Sequence, residues 1–242
     1  MSENEDNFKK FQDSMQHLHG KLHVLDTPIP VEEQIVYFTY SQKVKSGKDE
    51  EQALGEINFL FDATVEHELK KQLLATLASS TKVEAFRAIE KYNLAPDSDL
   101  KNFALLALEE SKMSLERSLS DEEQIFISTG LGGKGEKLRF FIVFFSVSPD
   151  GFTEFQFKTA KSEIEFLFTK NDCVVESFVE NKDYLALSAI FPYKLDIKEL
   201  INKAIDEVNQ YGNFMRNNLL LTNVKIFSEE EIRKFIEENK QK

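Results

Sequence analysis

The sequence predicts an α+β protein, with an N-terminal all-helical array over residues 1–120 and a mixed sheet domain over residues 121–242. Three observations carry this. Before residue 120 the apolar residues recur at helical spacing. After Leu138 the pattern changes to strand, helix, strand, strand, helix, strand. Two of those strands, LRFFIVFFSV and DYLALSAIF, are apolar on both faces, which is the mark of strands inside a sheet covered on both sides.

The elements follow in order. Phe8, Phe11, Met15, Leu18 and Leu22 form one narrow helical stripe. HVLDTPIP is a loop, because Pro28 and Pro30 stop any helix. From Val31 a helix is expected with Ile35, Phe38 and Val44 on its buried side and Gly47 closing it. Ala53, Ile57, Leu60 and Phe61 mark the next helix. VEHELKKQLLATLASS, KVEAFRAIEKYNLA and DSDLKNFALLALEESKMSLERSL then read as three amphipathic helices with short connectors. A shift of 31 residues aligns Leu69 with Leu100, Leu74 with Leu105 and Leu77 with Leu108. That period suits a helix-hairpin repeat of HEAT-like form, although any two amphipathic helices align on their leucines, and the tetratricopeptide signature is absent.

After the charged hinge SDEE, residues 124–130 read as an added strand joined through a glycine loop to the strand from Leu138. Thr153 and Gln156 form a capping box for a helix that buries Phe157, Ala160, Ile164, Leu167 and Phe168. CVVESFVE is a strand, Asn181-Lys182 a tight turn, and DYLALSAIF its partner. Asp196 with Glu199 caps the next helix, Gly212 closes it, and NNLLLTNVKIF is the last strand. Ser228 and Glu231 cap a terminal helix able to pack through Ile232 and Phe235. The order is that of a ferredoxin-like βαββαβ domain, here with an extra N-terminal hairpin strand, and it predicts the antiparallel strand order 4-1-3-2. Both helices then share one face. The other face also carries Phe and Leu, and the N-terminal helices are the nearest candidates to cover it, with a partner next.

Composition narrows the functional classes. The net charge is −12, with −7 in residues 1–120 (14 basic, 21 acidic) and −5 in residues 121–242 (16 basic, 21 acidic). Such a field repels phosphate backbones, so no DNA partner is expected. The single Cys173 allows no internal disulfide and fits a reducing compartment. No apolar run is long enough to span a bilayer and no secretory signal opens the chain, so a soluble, cytoplasmic protein with no membrane partner is expected.

The chemistry-bearing candidates are few. The loop LGGKGEK offers Gly130, Gly132, Gly133, Lys134, Gly135, Lys137 and Arg139 as a binding loop. Glycines let backbone N–H groups converge on an anion, and the cations add charge. The Walker spacing fails, because Gly135 is followed by Glu136 and Lys137 and then by a strand. The plain alternative is a hairpin whose glycines supply positive φ. His19 and His23 lie four apart but lack further ligands, so no metal and no cofactor are expected. Cys173 reads as a buried thiol. No serine elbow and no catalytic carboxylate stands out. The sequence therefore points to a non-enzymatic adaptor that binds another protein through its helical array and sheet domain. The alternative is RNA or ribosome association through the Gly/Lys loop, and small-molecule binding at an interface is a third class.

Overall fold

The computed structural model describes residues 20–45 and 49–239. The early apolar stripe, His17, His19 and the expected stop at Gly47 lie outside them, apart from Leu22. The chain divides into two compact units. One gathers most of the described residues up to Ser128, the other Asp26–Pro28 and the chain from Thr129. Helices and an antiparallel sheet together make an α+β protein.

In the first unit, strand β1 (Lys21–Val24) precedes helices α1 (Val31–Lys45), α2 (Glu50–Gly55), α3 (His67–Ala78), α4 (Val83–Asn93) and α5 (Lys101–Leu119), and strand β2 (Gln124–Ile127) closes it. Several details differ from the sequence reading. The helix expected to carry Ala53, Ile57, Leu60 and Phe61 ends at Gly55, and Ile57–Phe61 form a separate 3-10 turn. The loop expected at HVLDTPIP begins as strand, because β1 pairs in parallel with β2, Leu22 opposite Ile125 and Val24 opposite Ile127. Residues 124–127 therefore do not join the large sheet. Helix α1 keeps Phe38 against the core as expected, but it leaves Ile35 outside and brings polar side chains in beside Phe38. Ile35 is 60% exposed, while Gln34, Tyr37 and Ser41 are buried. The reason is hydrogen bonding: Tyr37 Oη (2.6 Å) and Ser41 Oγ (2.9 Å) both donate to Glu110, and Gln34 Nε2 donates to the Ile29 carbonyl at 2.7 Å. The core proper is aliphatic, with Leu60, Leu73, Leu74, Leu77, Ile89 and Leu100 fully enclosed. Lys70 is buried too, and it is satisfied by Asp97 at 2.6 Å, which also accepts from Tyr92 Oη at 2.7 Å.

The second unit runs β3 (Gly133–Lys134), β4 (Lys137–Ser146), α6 (Glu154–Lys170), β5 (Val174–Asn181), β6 (Tyr184–Pro192), α7 (Ile197–Asn209), β7 (Met215–Thr222) and α8 (Glu229–Asn239). The four long strands are all antiparallel and lie in the order β7-β4-β6-β5. Capping fixes the helix starts. Thr153 and Gln156 make a reciprocal capping box, Asp196 accepts from the Glu199 N–H, and Ser228 and Glu231 bond each other's backbone N–H. At the end of α7 the Asn209 side chain bonds both the N–H and the carbonyl of Met215, tying the turn at Gly212 to β7.

Strand β4 is buried on both faces: Phe140, Phe141, Ile142, Val143, Phe144 and Phe145 are each at most 4% exposed. Helices α6 and α7 lie against one another, α6 contacting β5 and α7 contacting β7. On the face of Phe141, Val143 and Phe145 the cover comes from the C-terminal helix. Ile232, Phe235 and Ile236 of α8, with Phe227 before it, pack on these residues and on Tyr184 and Ala186. The Phe145 and Phe235 rings stack with centroids 5.4 Å apart. The sequence named the N-terminal helices or a partner for this role. A short terminal helix of mostly charged residues suffices, because its apolar positions 232, 235 and 236 fall on one side.

Candidate functional site

The Gly/Lys loop is a structural hairpin. Gly133 pairs with Leu138 and Lys134 with Lys137, leaving Gly135 and Glu136 as the two turn residues. Gly135 has φ of 59°, the positive value that a two-residue hairpin turn needs at its first central position. Gly130 is required for a different reason: a Cβ there would lie 1.8 Å from the Val224 carbonyl oxygen. Several of the loop's backbone donors are already used. Leu131 N–H bonds the Asn223 carbonyl, Gly132 N–H that of Thr129, and Arg139 N–H that of Gly132. Two of the three cations are also engaged. Lys137 meets Asp172 at 2.7 Å, and Arg139 holds Glu176 with two nitrogens at 2.5 and 2.9 Å and the Leu131 carbonyl at 2.7 Å. Glu176 accordingly raises the Arg139 pKa. Among the described residues only Lys134 of the three makes no ion pair. The structure thus brings the candidate residues together, with Lys137, Arg139 and several backbone donors engaged within the chain and Lys134 exposed.

A second feature of this unit is the edge of the sheet formed by β5. Strand β5 is an edge, hydrogen-bonded to β6 on one side. Its register places Val175, Phe178 and Glu180 on the α6 face and Ser177, Val179 and Asn181 on the α8 face, with a bulge between Val175 and Ser177. Edges are commonly guarded by free charges. Here both carboxylates of the strand are held within the chain: Glu176 by Arg139, and Glu180 by Lys161 of α6 at 2.9 Å. Lys161 also lies over the Phe178 ring at 5.2 Å. Beside these paired carboxylates and Ser177, which are exposed, the strand also presents apolar surface: Val174 and Val179 are about half exposed, and Phe166 of α6 is 68% exposed beside the groove between α6 and β5. Cys173 lines the same groove, and burial pushes its thiol up to about 12, which keeps it protonated at neutral pH.

Sequence reasoning did not single out Lys161, Val179 or Glu180. The signal was present in the predicted order 4-1-3-2, which makes the second strand an edge, and in the partial alternation of CVVESFVE.

No family model matches the sequence, and no curated protein matches it. Among solved structures, the chain is similar to a candidate transposase from Deinococcus radiodurans R1, at 13% identity and a TM-score of 0.38, over 42% of this chain and 90% of that one. It is also similar to the REP-associated tyrosine transposase bound to a REP hairpin, at 9% identity and a TM-score of 0.32, over 40% of this chain and 61% of that one. These neighbours correct three expectations: the non-enzymatic adaptor, the RNA or ribosome alternative, and a partner list of protein or RNA without DNA. The adaptor and protein-binding descriptions fall with them. The likeness itself is too slight to give this chain a ligand or an activity. Among the described residues, no three His, Cys, Asp or Glu side chains gather as a metal set, and no helix is long and apolar enough to cross a membrane.

Proposed function

We propose that this chain is a self-assembling protein whose sheet unit joins a second copy of itself through the open edge of β5. The observation that carries the proposal is the internal neutralisation of that edge. Glu176 is held bidentately by Arg139 and Glu180 pairs with Lys161, so the edge carries no unpaired carboxylate where its backbone donors and acceptors run beside half-exposed Val174 and Val179. Strand addition satisfies such an edge. The bulge limits regular pairing to Ser177–Asn181. Antiparallel self-pairing about Val179 matches Ser177 with Asn181 and Phe178 with Glu180, each pair on one face of the sheet.

The proposal includes a ferredoxin-like identity for the sheet unit, supported by its element order and by the pairing β7-β4-β6-β5. It keeps the division into a helical domain and an α+β domain near residue 120, and the HEAT-like form of the helices as the nearest description. It keeps a cytoplasmic setting too, which the single thiol supports.

Sedimentation of the full chain tests the assembly. A reversible dimer is expected at tens of micromolar or below, in the range of small interfaces. Val179→Asp, at a half-exposed site, should leave the melt unchanged and abolish the dimer. A wild-type chain that stays monomeric up to about 100 µM, a free energy near −5.5 kcal/mol, overturns it.

A further inference from the structure

We infer that α6 sets the register of this assembly, through Lys158 of one copy facing Glu165 of the other across the two-fold axis. The inference rests on the edge reading above and adds the residues that decide how two copies fit. Lys161 marks the level of α6 on the strand: it meets Glu180 at 2.9 Å and lies 5.2 Å from the Phe178 ring centre, so it sits over the strand at Val179. A two-fold axis through Val179 therefore passes beside residue 161. Lys158 lies three residues before that point and Glu165 four after, so the axis exchanges their levels. Seven residues are close to two helical turns, which puts Lys158 and Glu165 on the same flank of α6. Lys161 shares that side of the helix, since it reaches β5, and Glu165 lines the groove above Val174 and Val175.

The spacing of the layers agrees. Paired strands stand about 4.8 Å apart and packed helices about 8–10 Å apart. Helix α6 contacts the edge strand itself, so extending the sheet through β5 brings α6 beside its copy. The flanks that meet carry Lys158 and Glu165, each exposed. Lys158 bonds Glu154 at 2.7 Å, an exposed i,i+4 pair of little strength that gives way readily. Glu165 makes no ion pair among the described residues. Two cross-pairs result, one on each side of the axis. A parallel arrangement would set Lys158 against Lys158 and Glu165 against Glu165, so the charges select the antiparallel one.

The test uses full-length chains with single reversals. Lys158→Glu gives a copy acidic at both positions, and Glu165→Lys one basic at both. Each alone should dimerise on the order of tenfold more weakly than wild type at low salt, and both should melt as wild type does. Mixed in equal amounts, the two variants should form a heterodimer of about wild-type strength, because both cross-pairs are restored with reversed sense. The double variant Lys158→Glu, Glu165→Lys should likewise recover self-association. Added salt should narrow all these differences. If the wild-type chain dimerises but neither reversal weakens it and the mixture shows no preference, the register inference is overturned and the edge reading stands. If the wild-type chain is monomeric, the edge reading itself fails.

Discussion

Helix α8 is the cover of one sheet face, and its contribution is measurable through two phenylalanines of adjacent position and opposite direction. Phe144 points toward the side of Phe140 and Ile142 and is 0% exposed, while Phe145 points toward α8 and is 3% exposed. Truncating either to alanine should cost about 3–5 kcal/mol, because each removes a ring from a fully buried site. That is a large share of the roughly 5–15 kcal/mol that stabilises a domain. Only Phe145 stacks on Phe235, with centroids at 5.4 Å and planes 20° apart. A double-mutant cycle of Phe145→Ala with Phe235→Ala should therefore return a coupling of about 0.5–1.5 kcal/mol. The cycle of Phe144→Ala with Phe235→Ala should return a value within about 0.5 kcal/mol of zero. Urea unfolding followed by far-ultraviolet circular dichroism gives the midpoints. The chain has two compact units, so hydrogen exchange at β4 amides should accompany the melt to report on the sheet unit by itself. A Phe145→Ala chain that loses less than about 1 kcal/mol, the scale of an exposed site, would refute the claim that α8 seals this face.

Other outcomes follow from particular contacts. Gly130→Ala drives a Cβ into the Val224 carbonyl and should cost at least about 2 kcal/mol in denaturant melts, whereas Gly55→Ala meets nothing within 4 Å at the end of α2 and should be near neutral or stabilising by about 0.5–1 kcal/mol. The Asp97 carboxyl is held below its ordinary range by the hydrogen bond from Lys70 and then by that from Tyr92. Its folded pKa is thus depressed, so the stabilisation is fully present above the unfolded value of about 3.9 and is lost as pH falls through the folded one. Acid melts of the wild type should weaken below about pH 4, and Lys70→Met should lower stability at neutral pH and flatten that acid dependence. Cys173, buried and with its pKa pushed up, should react with a thiol reagent at neutral pH only as fast as the chain opens, and rapidly in denaturant.

Much of the architecture was readable because it is local or because patterns agree. The capping residues Thr153, Asp196 and Ser228 announce their helices within four residues. The doubly apolar strands β4 and β6 declare themselves central, and the structure places them side by side inside the sheet. The failures have a common cause in interactions across long stretches of chain. Parallel pairing of β1 with β2 joins residues 21–24 to 124–127, and four-residue segments carry no period that could reveal it. In α1 Gln34 and Ser41 are buried because Glu110 and Ile29 supply acceptors from elsewhere, so an apolar count finds Phe38 but misses them and wrongly adds Ile35. The turn after β5 lies one residue later than expected: Asn181 still pairs with Tyr184, leaving Lys182 and Asp183 at the tip.

The candidate site shows the same limit in its charges. Three basic residues within six positions read as an anion-binding loop when nothing is known of what faces them. Asp172 and Glu176 face two of them, and they come from the far end of α6 and the strand after it. The same ion pairs that disarm the loop also remove a negative charge from the edge of β5. Arg139 thus has two consequences at once: it closes a basic patch and it unguards a strand. Breaking it should therefore act on assembly as well as on stability. Arg139→Met leaves Glu176 bare at the edge, and a second copy then meets a free carboxylate on each strand. The expected result is a weaker dimer at low salt, recovered when Glu176→Gln is added to the same chain. Sedimentation of the two variants beside wild type, with melts to confirm folding, decides it; a dimer indifferent to Arg139→Met would separate the ion pair from the edge.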